Sequence, residues 1–524
     1  MDIKLSRTVP AGIIGAIVFL IINFAALTQT QDLPDHALSP VISKQEAEKA
    51  ASSFAQKQLH ADVEAAFVMF QTEKHLGGYL QKEGLFEAYE QLYASKYPLD
   101  YYLVQANAAD ESIYLLRVHM RSGEIIGFEK TFPAPVQQDA ENYEIAERYL
   151  TQIGYDLNDF TLLTGNDASK YIYESKSQAI GEAQLQLRTV IENGRVVAFI
   201  PQFTVPDAFM QWLNDQNRSA ERMSLASIAF SLFTGIAGIV AAAAYRKRIS
   251  FSRGVWMTLI YLITASIHNF NLYPGLKTQF AGSPENNFAA MFTVAFSHLF
   301  TFFPAAAIYL ALTSGDAMWN QMGRKLWPRM KDPKFGSRVM LAMGHGYMFC
   351  FMLLGLQSIL FLIGEKYFNV WSVNDALFSN YNLLLPALFP LMAWAAAISE
   401  EALFRLFGIA LFKKLFRSTG IAVLATSMIW AIGHTSYPIY PAYTRFVEVT
   451  ILGLIFGWIM LRFGFLTAVY AHASFDAILM AFSLIALGGS LNVLSGIAYL
   501  FSPVMAAVIL AQFHKRLVLR PRST

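Results

Sequence analysis

The chain has very little cysteine and lacks several well-known catalytic motifs. Cys350 is its only cysteine among 524 residues, so no intramolecular disulfide can form and no cysteine-based metal site exists. The sequence contains no GxSxG nucleophile motif, no HExxH motif and no Walker-type phosphate-binding loop. These absences argue against a Ser-His-Asp hydrolase, a zincin metalloprotease and a P-loop protein.

Charged residues are also scarce. They make up 15% of the chain, whereas 55% of the residues are hydrophobic, and the formal net charge is only +2. A soluble globular protein is usually less hydrophobic and more charged than this. The composition therefore indicates a membrane protein, and the balanced charge gives no sign of nucleic-acid binding.

Apolar runs long enough to cross a membrane account for this composition. Residues 11–27 form the first run, which we interpret as an uncleaved anchor within residues 1–29; a cleaved signal peptide is the alternative. The sequence predicts a polytopic α-helical membrane protein with about ten transmembrane helices. The other predicted helices lie at 224–244, 254–270, 289–313, 339–363, 382–412, 419–437, 446–462, 465–487 and 491–513.

Lysine and arginine are distributed unevenly between the loops that join these runs. The opposite short loops carry only Lys277, Lys366 and Arg445. By the positive-inside rule, both termini are predicted to be cytoplasmic, and residues 30–220 to be extracytoplasmic. The basic clusters that define the cytoplasmic face lie near the N-terminus and at 246–253, 324–338, 413–417 and 515–522.

The polar segment 30–220 has the pattern of an exported α+β domain. Ser43 and Glu46 form a capping-box pattern that predicts the start of a helix. Alternating apolar and polar residues around Ser122-Gly123, and again around Asn193-Gly194, predict two β-hairpins. Because a helix pattern precedes each hairpin, the domain is interpreted as two related modules, which loosely resemble PepSY-like modules.

Three polar motifs interrupt the last apolar runs and predict one shared site. Such groups are costly in hydrocarbon and must face the interior of the helix bundle or water. In two of the motifs the charged residues are four positions apart and share one helix face, whereas Glu400 points about 100° away from its neighbour Glu401. The motifs are Glu400-Glu401-Ala-Leu-Phe-Arg405, Trp430-Ala-Ile-Gly-His434 and His472-Ala-Ser-Phe-Asp476.

Each motif taken alone also has a purely structural interpretation. Glu401 and Arg405 could be an ion pair that locks two helices together, and His434 could be a helix-contact residue. The third motif could join two helices through a hydrogen bond. Glu448, near the start of another predicted helix, is interpreted as an interface residue.

Taken together, a glutamate, two histidines and an aspartate indicate water activation and hence hydrolysis. A buried carboxylate is a good general base for water. Histidines can position that water, donate to a developing oxyanion, or bind a metal. The same four side chains could also bind Zn²⁺, so the residues leave a metal-free and a metal-dependent site open.

The ordered trio resembles the CPBP family of intramembrane proteases, which includes the CAAX prenyl endopeptidases of the Ras-converting type and the bacterial Abi proteins. The resemblance covers roughly residues 380–490. Two positions depart from the family pattern. Trp430 stands where phenylalanine is usual, and Asp476 stands where asparagine is frequent, which adds a charge.

The resemblance implies a role for each matching residue. Glu400 would be the general base for the attacking water, and His434 would hold that water. His472 and Asp476 would stabilise the oxyanion or complete the site, while Glu401 and Arg405 would orient the helix behind it. Both metal-dependent and metal-free mechanisms are proposed for the family. The candidate metal ligands, with Zn²⁺ as the metal, are Glu400, His434, His472 and Asp476.

The domain plan that follows has five parts. An anchor at 1–29 precedes the exported domain at 30–220 and helices 2–5 at 221–375. A CPBP-like catalytic core at 376–513 and a basic cytoplasmic tail at 514–524 complete the chain.

The leading functional hypothesis is an intramembrane endopeptidase that cleaves a membrane-associated or lipidated peptide or protein. A non-catalytic membrane scaffold or immunity-type protein would keep the same motifs for stability. A proton-coupled transporter is the third hypothesis, which the lack of internal repeats disfavours. The sequence does not identify the substrate or the partner of the exported domain.

The depth of the motif residues in the membrane is a test of the shared site. Counting along the predicted helices places Glu400 and His472 in the cytosolic halves of their helices and His434 further out. A tilted helix, or one that begins inside the membrane, would bring them to one level.

Overall fold

The computed structural model describes residues 4–29, 40–132, 142–163 and 170–519, and it consists of an α+β domain beside a bundle of helices. The predicted basic tail falls partly outside the described residues, because Arg520 and Arg522 follow them.

One antiparallel sheet of eight strands forms the centre of the α+β domain. Its strand order is β1-β2-β3-β4-β8-β7-β6-β5, so the first four strands meet the last four where β4 pairs with β8. A helix precedes the strands of each half, and the interpretation as two related modules stays a prediction. The strands are β1 Val63–Thr72, β2 Asp100–Ala108, β3 Ile113–His119, β4 Ile125–Phe132, β5 Phe160–Leu163, β6 Lys170–Ile180, β7 Ala183–Glu192 and β8 Arg195–Phe203.

Local sequence signals in this domain have the predicted geometry. Ser43 Oγ accepts a hydrogen bond from the backbone N–H of Glu46, whose carboxylate accepts from the Ser43 N–H, which completes the capping box. Strands β7 and β8 pair across Asn193 and Gly194, which both have positive φ (50° and 71°). A two-residue hairpin turn of this twist requires positive φ at both positions.

Most of the remaining chain is helical. The helices of the α+β part and its flanks are α1 Val9–Gln29, α2 Lys44–Gln58, α3 Lys74–Lys82, α4 Phe86–Leu92, α5 Asn142–Gln152 and α6 Asp207–Tyr245. The helices that follow are α7 Val255–Asn271, α8 Tyr273–Lys277, α9 Asn286–Gln321, α10 Phe335–Phe368, α11 Met392–Glu400, α12 Ile409–Phe416, α13 Thr419–Ile432, α14 Ala442–Phe463, α15 Phe465–Leu487, α16 Ser490–Leu500 and α17 Ser502–Leu519.

Among the described residues, five helices are long and apolar enough to span a membrane, namely α6, α9, α10, α14 and α15. A sixth span is obtained if α16 and α17 count as one. Length and composition alone give this number, which is consistent with a membrane protein. The higher predicted count of about ten spans and the extracytoplasmic position of the α+β domain stay predictions.

Two of the predicted continuous helices are interrupted. The run predicted at 491–513 is divided into α16 and α17, which meet at 55°; Pro503 lies in the first turn of α17 and has no N–H to continue the preceding helix. The run predicted at 382–412 begins with a 3₁₀ turn at Pro386–Leu391, where two prolines likewise remove donors. The helix predicted at 419–437 ends earlier, at Ile432.

The α+β domain packs directly against the segments that lead into the motif-bearing helices. Trp371 and Tyr440 lie in two short strands, β9 Trp371–Ser372 and β10 Ile439–Tyr440, that pair with each other. The centres of their rings lie 4.7 Å apart, and both rings pack on Trp212 of α6. The Asn382 side chain is fully buried and joins the backbone of Phe70 on edge strand β1 by two hydrogen bonds of 2.8 and 2.9 Å.

Candidate active site

The first motif lies at the junction between α11 and a π-helical segment. Glu400 is the last residue of α11, and Glu401–Gly408 forms the π-helix before α12 continues. The wider turn of a π-helix rotates the residues after it relative to an ordinary α-helix, and such segments occur frequently at functional sites. The two adjacent glutamates therefore begin a local distortion of the helix and face different neighbours.

Glu401 is enclosed by two partners. Its side chain is 0% exposed, and Arg405 Nη1 lies 3.5 Å from its Oε1, so the predicted pairing across four residues is present. The same oxygen lies 2.9 Å from Nδ1 of His472, on α15. Because a carboxylate only accepts, Nδ1 carries the proton of this hydrogen bond. Glu401 thus fixes the orientation of the His472 ring and leaves its Nε2 directed away.

The Arg405 guanidinium is held by aromatic faces as well as by Glu401. It lies 4.0 Å from the centre of the Trp430 ring and 5.3 Å from that of Phe456. Its two terminal nitrogens make no hydrogen bond to a described residue. Cation–π contacts are strongest when the cation is desolvated, as it is here. The ion pair and the two aromatic rings together stabilise the positive charge of Arg405, whose side chain is 1% exposed.

Glu400, from the first motif, is the carboxylate that lies next to residues of the other two motifs. The Trp430 indole N–H donates a hydrogen bond to its Oε2. His434 Nε2 lies 3.9 Å from Oε1, and His472 Nε2 lies 3.8 Å from Oε2. These two separations exceed the range of a direct hydrogen bond, and at such distances a water can bridge the polar atoms.

His434 lies just beyond the end of α13, in the turn that leads to β10, rather than on the predicted helix. Its Nδ1–H donates to the carbonyl oxygen of Trp430 at 2.9 Å, which leaves Nε2 facing Glu400. Gly433 permits this turn to approach α6, because a Cβ there would lie 2.8 Å from Ser227 Oγ. The Tyr437 ring stacks on the imidazole, with the two planes 5° apart.

The third motif places His472 and Asp476 on one face of α15, as its spacing predicts. His472 Nε2 lies 3.5 Å from Asp476 Oδ2, so the same nitrogen faces two carboxylates. Phe456 of α14 stacks on the imidazole at 4.8 Å between ring centres. The ring is therefore fixed at one nitrogen and on one face, and only its Nε2 edge borders the site.

Burial separates the motif residues into two groups. The side chains of Glu401 and Arg405 are 0% and 1% exposed, whereas those of Glu400, Asp476 and His434 are 23%, 20% and 18% exposed. The second group is therefore partly open to its surroundings, whereas the first is enclosed by protein. The supporting role expected for the Glu401–Arg405 pair stays a prediction.

The structure brings all the predicted site residues together, including His434, which counting along the helices placed further out than Glu400 and His472. Because α13 stops at Ile432 and the chain turns, His434 reaches the level of Glu400 at the end of α11. Glu448 lies outside this cluster. It is buried and accepts hydrogen bonds from Gln357 at 2.8 Å and Arg445 at 2.5 Å, which fits its predicted role between helices.

Two aromatic residues are part of the site although they were not predicted to be. Trp430 was part of the second motif only as an aromatic residue. In the structure its indole N–H donates to Glu400, and its ring packs against the Arg405 guanidinium. Phe456 covers both Arg405 and His472 and lies in an apolar run without any motif. An aromatic residue four positions before His434 was a usable signal for Trp430, and nothing in the local sequence marks Phe456.

The importance of the indole N–H can be measured with Trp430→Phe. Phenylalanine keeps an aromatic face for Arg405 but removes the donor to Glu400. A hydrogen bond to a charged group is lost, so we expect turnover to fall about tenfold. The unfolding midpoint should also fall, because the smaller ring leaves a cavity at a side chain that is 4% exposed. Trp256→Phe, at a position that is 73% exposed, is the control. Equal turnover in both variants would show that the donor is dispensable.

The four candidate metal ligands do not form a recognisable metal centre. No group of three or more His, Cys, Asp or Glu side chains among the described ranges is arranged to hold a metal ion. A Zn²⁺ site needs its donor atoms at about 2.0–2.3 Å from one point. No step below is routed through a metal ion, and the chemistry is derived from the side chains alone.

Comparison with known proteins identifies the segment that carries this geometry. Residues 382–478 match the family model described as type II CAAX prenyl endopeptidase Rce1-like, and all three motifs lie within the match. Searches of curated proteins and of solved structures returned no significant match. The chain therefore carries, at residues 382–478, a domain of the Rce1-like family of CAAX prenyl endopeptidases, as the three motifs predicted.

Proposed function

We propose that the protein is an intramembrane endopeptidase in which Glu400 activates the water that cleaves a peptide bond. The observation that carries this proposal is the position of the Glu400 carboxylate, between the Nε2 atoms of His434 and His472. The partial exposure of the Glu400 side chain leaves room for water. The match of residues 382–478 to the Rce1-like family supports protease chemistry of the CAAX type.

In the proposed reaction, a water contacts Glu400 Oε1 and His434 Nε2. Because Nδ1 of His434 donates to the Trp430 carbonyl, Nε2 of the neutral ring is an acceptor and can orient the water. Glu400 takes one proton as the water oxygen attacks the carbonyl carbon of the substrate. The same proton then passes to the nitrogen of the leaving amine as the C–N bond breaks.

The negative charge that develops on the carbonyl oxygen needs a donor. His472 Nε2, when it carries a proton, is placed to donate to this oxygen, because Glu401 already holds the opposite side of the ring. Asp476, 3.5 Å from the same nitrogen, would stabilise the protonated ring. In this proposal Glu401 and Arg405 contact no reacting atom and act by holding His472 in position.

The α+β domain lies at the same end of the bundle as the turn that carries His434. That turn continues into β10, which pairs with β9 and packs on Trp212 next to the domain. Ala442, at the start of α14, donates its N–H to Gln216 at 3.1 Å. We propose that substrate approaches the site from the side of this domain, which is extracytoplasmic in the predicted topology, and that the domain restricts which substrates reach Glu400.

The proposal is tested by proteolysis in reconstituted membranes with His434→Ala. The substrates are a peptide library and co-expressed membrane proteins. Loss of one contact to the water should lower turnover about 100-fold, because small misplacements of a reactant are costly. In the proposed reaction Glu400 activates the water without a metal ion, so a chelator should leave wild-type turnover unchanged.

His75→Ala is the control, because this histidine lies in the α+β domain on α3, away from the motifs. Normal turnover by the His434→Ala variant would contradict the role given to His434. Loss of wild-type turnover with chelator, restored by Zn²⁺, would replace the metal-free reaction by a metal-dependent one. A wild-type protein that cleaves none of these substrates would favour the scaffold hypothesis.

A further inference from the structure

A large cavity lies away from Glu400, where the loop between α9 and α10 meets the turn between α14 and α15. Its volume is about 750 Å³, which is within the range of small-molecule sites. One wall is the segment around Trp327, and another is the turn at Gly464. None of the motif residues borders it, so it is a separate feature of the molecule.

Positive charge dominates the lining of this cavity. Five basic side chains face it, against the single carboxylate of Asp332. Asp332 lies 3.6 Å from Arg338, which accounts for one of the basic groups. Among the residues that the structure describes, none of the other four basic side chains forms a salt bridge within 4.0 Å, although the Arg329 backbone N–H donates to Asp332 at 2.9 Å. These four are Lys325, Arg329, Lys334 and Arg462.

The floor of the cavity is apolar and fixed in place. Leu326, Trp327 and Phe463 line it together with leucines of α10 and α15. The Leu326 carbonyl accepts the N–H of Phe465 at 2.9 Å, and the Trp327 ring packs on Phe465 at 5.2 Å. Arg253 donates to the Trp327 carbonyl at 2.5 Å and lies over its ring. The cavity therefore has a preformed apolar base below a cationic rim.

Two long helices also begin at this cavity. Lys334 precedes α10, which has 34 residues, and Gly464 precedes α15, which has 23 residues. The N-terminus of a helix carries a partial positive charge and favours anions. Both helix termini therefore add to the field of the basic side chains.

We propose that this cavity binds a phosphate-bearing anion with an apolar remainder, that is, the headgroup region of an anionic phospholipid. The cationic rim would hold the phosphate, and the floor around Trp327 would contact the glycerol and the first part of the acyl chains. Basic pockets between helices on the cytoplasmic side are suited to such headgroups. The predicted topology puts this end of the bundle on that side. The proposal does not depend on the protease assignment.

The test measures the unfolding midpoint of the full chain in neutral detergent. Phosphatidylglycerol, phosphatidylcholine, glycerol phosphate and inorganic phosphate are each added in a titration. The cavity variant is Lys325→Gln with Arg462→Gln, and the control is Arg246→Gln with Lys247→Gln. The control removes the same charge from exposed residues at the same end of the bundle, outside the cavity.

Phosphatidylglycerol should raise the midpoint of the wild type and the control, and phosphatidylcholine should not. Each cation near such a surface strengthens binding about fivefold, so the cavity variant should need about 25 times more lipid. A soluble phosphate that stabilises the wild type as strongly as the lipid would assign the site to free phosphates. The proposal is overturned if no phosphate compound stabilises the wild type, or if the cavity and control variants respond equally.

Discussion

Glu400→Gln should abolish proteolysis while leaving the protein folded. The glutamine side chain has the same shape and can still accept the hydrogen bond from Trp430, so the packing of the site is kept. It cannot take a proton from water at neutral pH. Because a positioned general base contributes about 10²–10⁴-fold to a rate, turnover should fall by about that factor.

The measurement compares turnover of wild type and variant in lipid vesicles, with the unfolding midpoint recorded for each. Glu365→Gln is the control, since it neutralises an exposed carboxylate at the end of α10. If the Glu400→Gln protein cleaves as fast as the wild type, Glu400 is not the base. In that case the scaffold hypothesis, which predicts a silent change, would gain support.

Arg405→Leu should produce the largest loss of stability of any change in the site. It leaves the Glu401 carboxylate, which is 0% exposed, without its ion-pair partner. Breaking a buried ion pair by removing one member costs about 3–5 kcal/mol, because an uncompensated charge stays in the interior. The lost packing of the guanidinium on Trp430 adds to this cost.

The unfolding midpoint in detergent gives this effect directly, and Arg218→Leu provides a matched control. Arg218 also pairs with a carboxylate within the same helix, Asp215, but its side chain is 71% exposed. Exposed pairs contribute about 0–1 kcal/mol, so the control should unfold almost as the wild type does. Similar midpoints for the two variants would contradict the supporting role of the Glu401–Arg405 pair.

The double variant Glu401→Gln with Arg405→Leu separates stability from catalysis. It removes both charges of the buried pair, so much of the stability lost in Arg405→Leu should return. The introduced glutamine can still accept from His472 Nδ1, but as a neutral group it would hold a protonated ring less well. Recovery of the midpoint without recovery of turnover would support action of Glu401 through His472.

The site combines parts that differ in how far the sequence specifies them. Spacing along one helix was sufficient to predict the Glu401–Arg405 pair and the shared face of His472 and Asp476, because residues four apart are neighbours on an α-helix. The scarcity of charge in the last apolar runs was sufficient to single out the same residues. The family match over residues 382–478 agrees with that prediction.

Contacts between distant parts of the chain could not be predicted in this way. The hydrogen bond between His472 and Glu401 joins residues 71 positions apart, and the one between Trp430 and Glu400 spans 30 positions. Both depend on how α11, α13 and α15 pack, which local spacing does not specify. The π-helix at Glu401–Gly408 changes the direction of the first motif, and its sequence resembles that of an ordinary helix.

By itself, the sequence determined a membrane-protein composition, the capping box and hairpin turns of the α+β domain, and the residues that carry the three motifs. Only the tertiary structure decided that α13 ends before His434 and that Glu400 faces both histidines. It also placed the basic residues of two separate loops around one cavity. The physical reason is that backbone preferences and charge costs are local, whereas the partner of each buried group is chosen by the packing of helices.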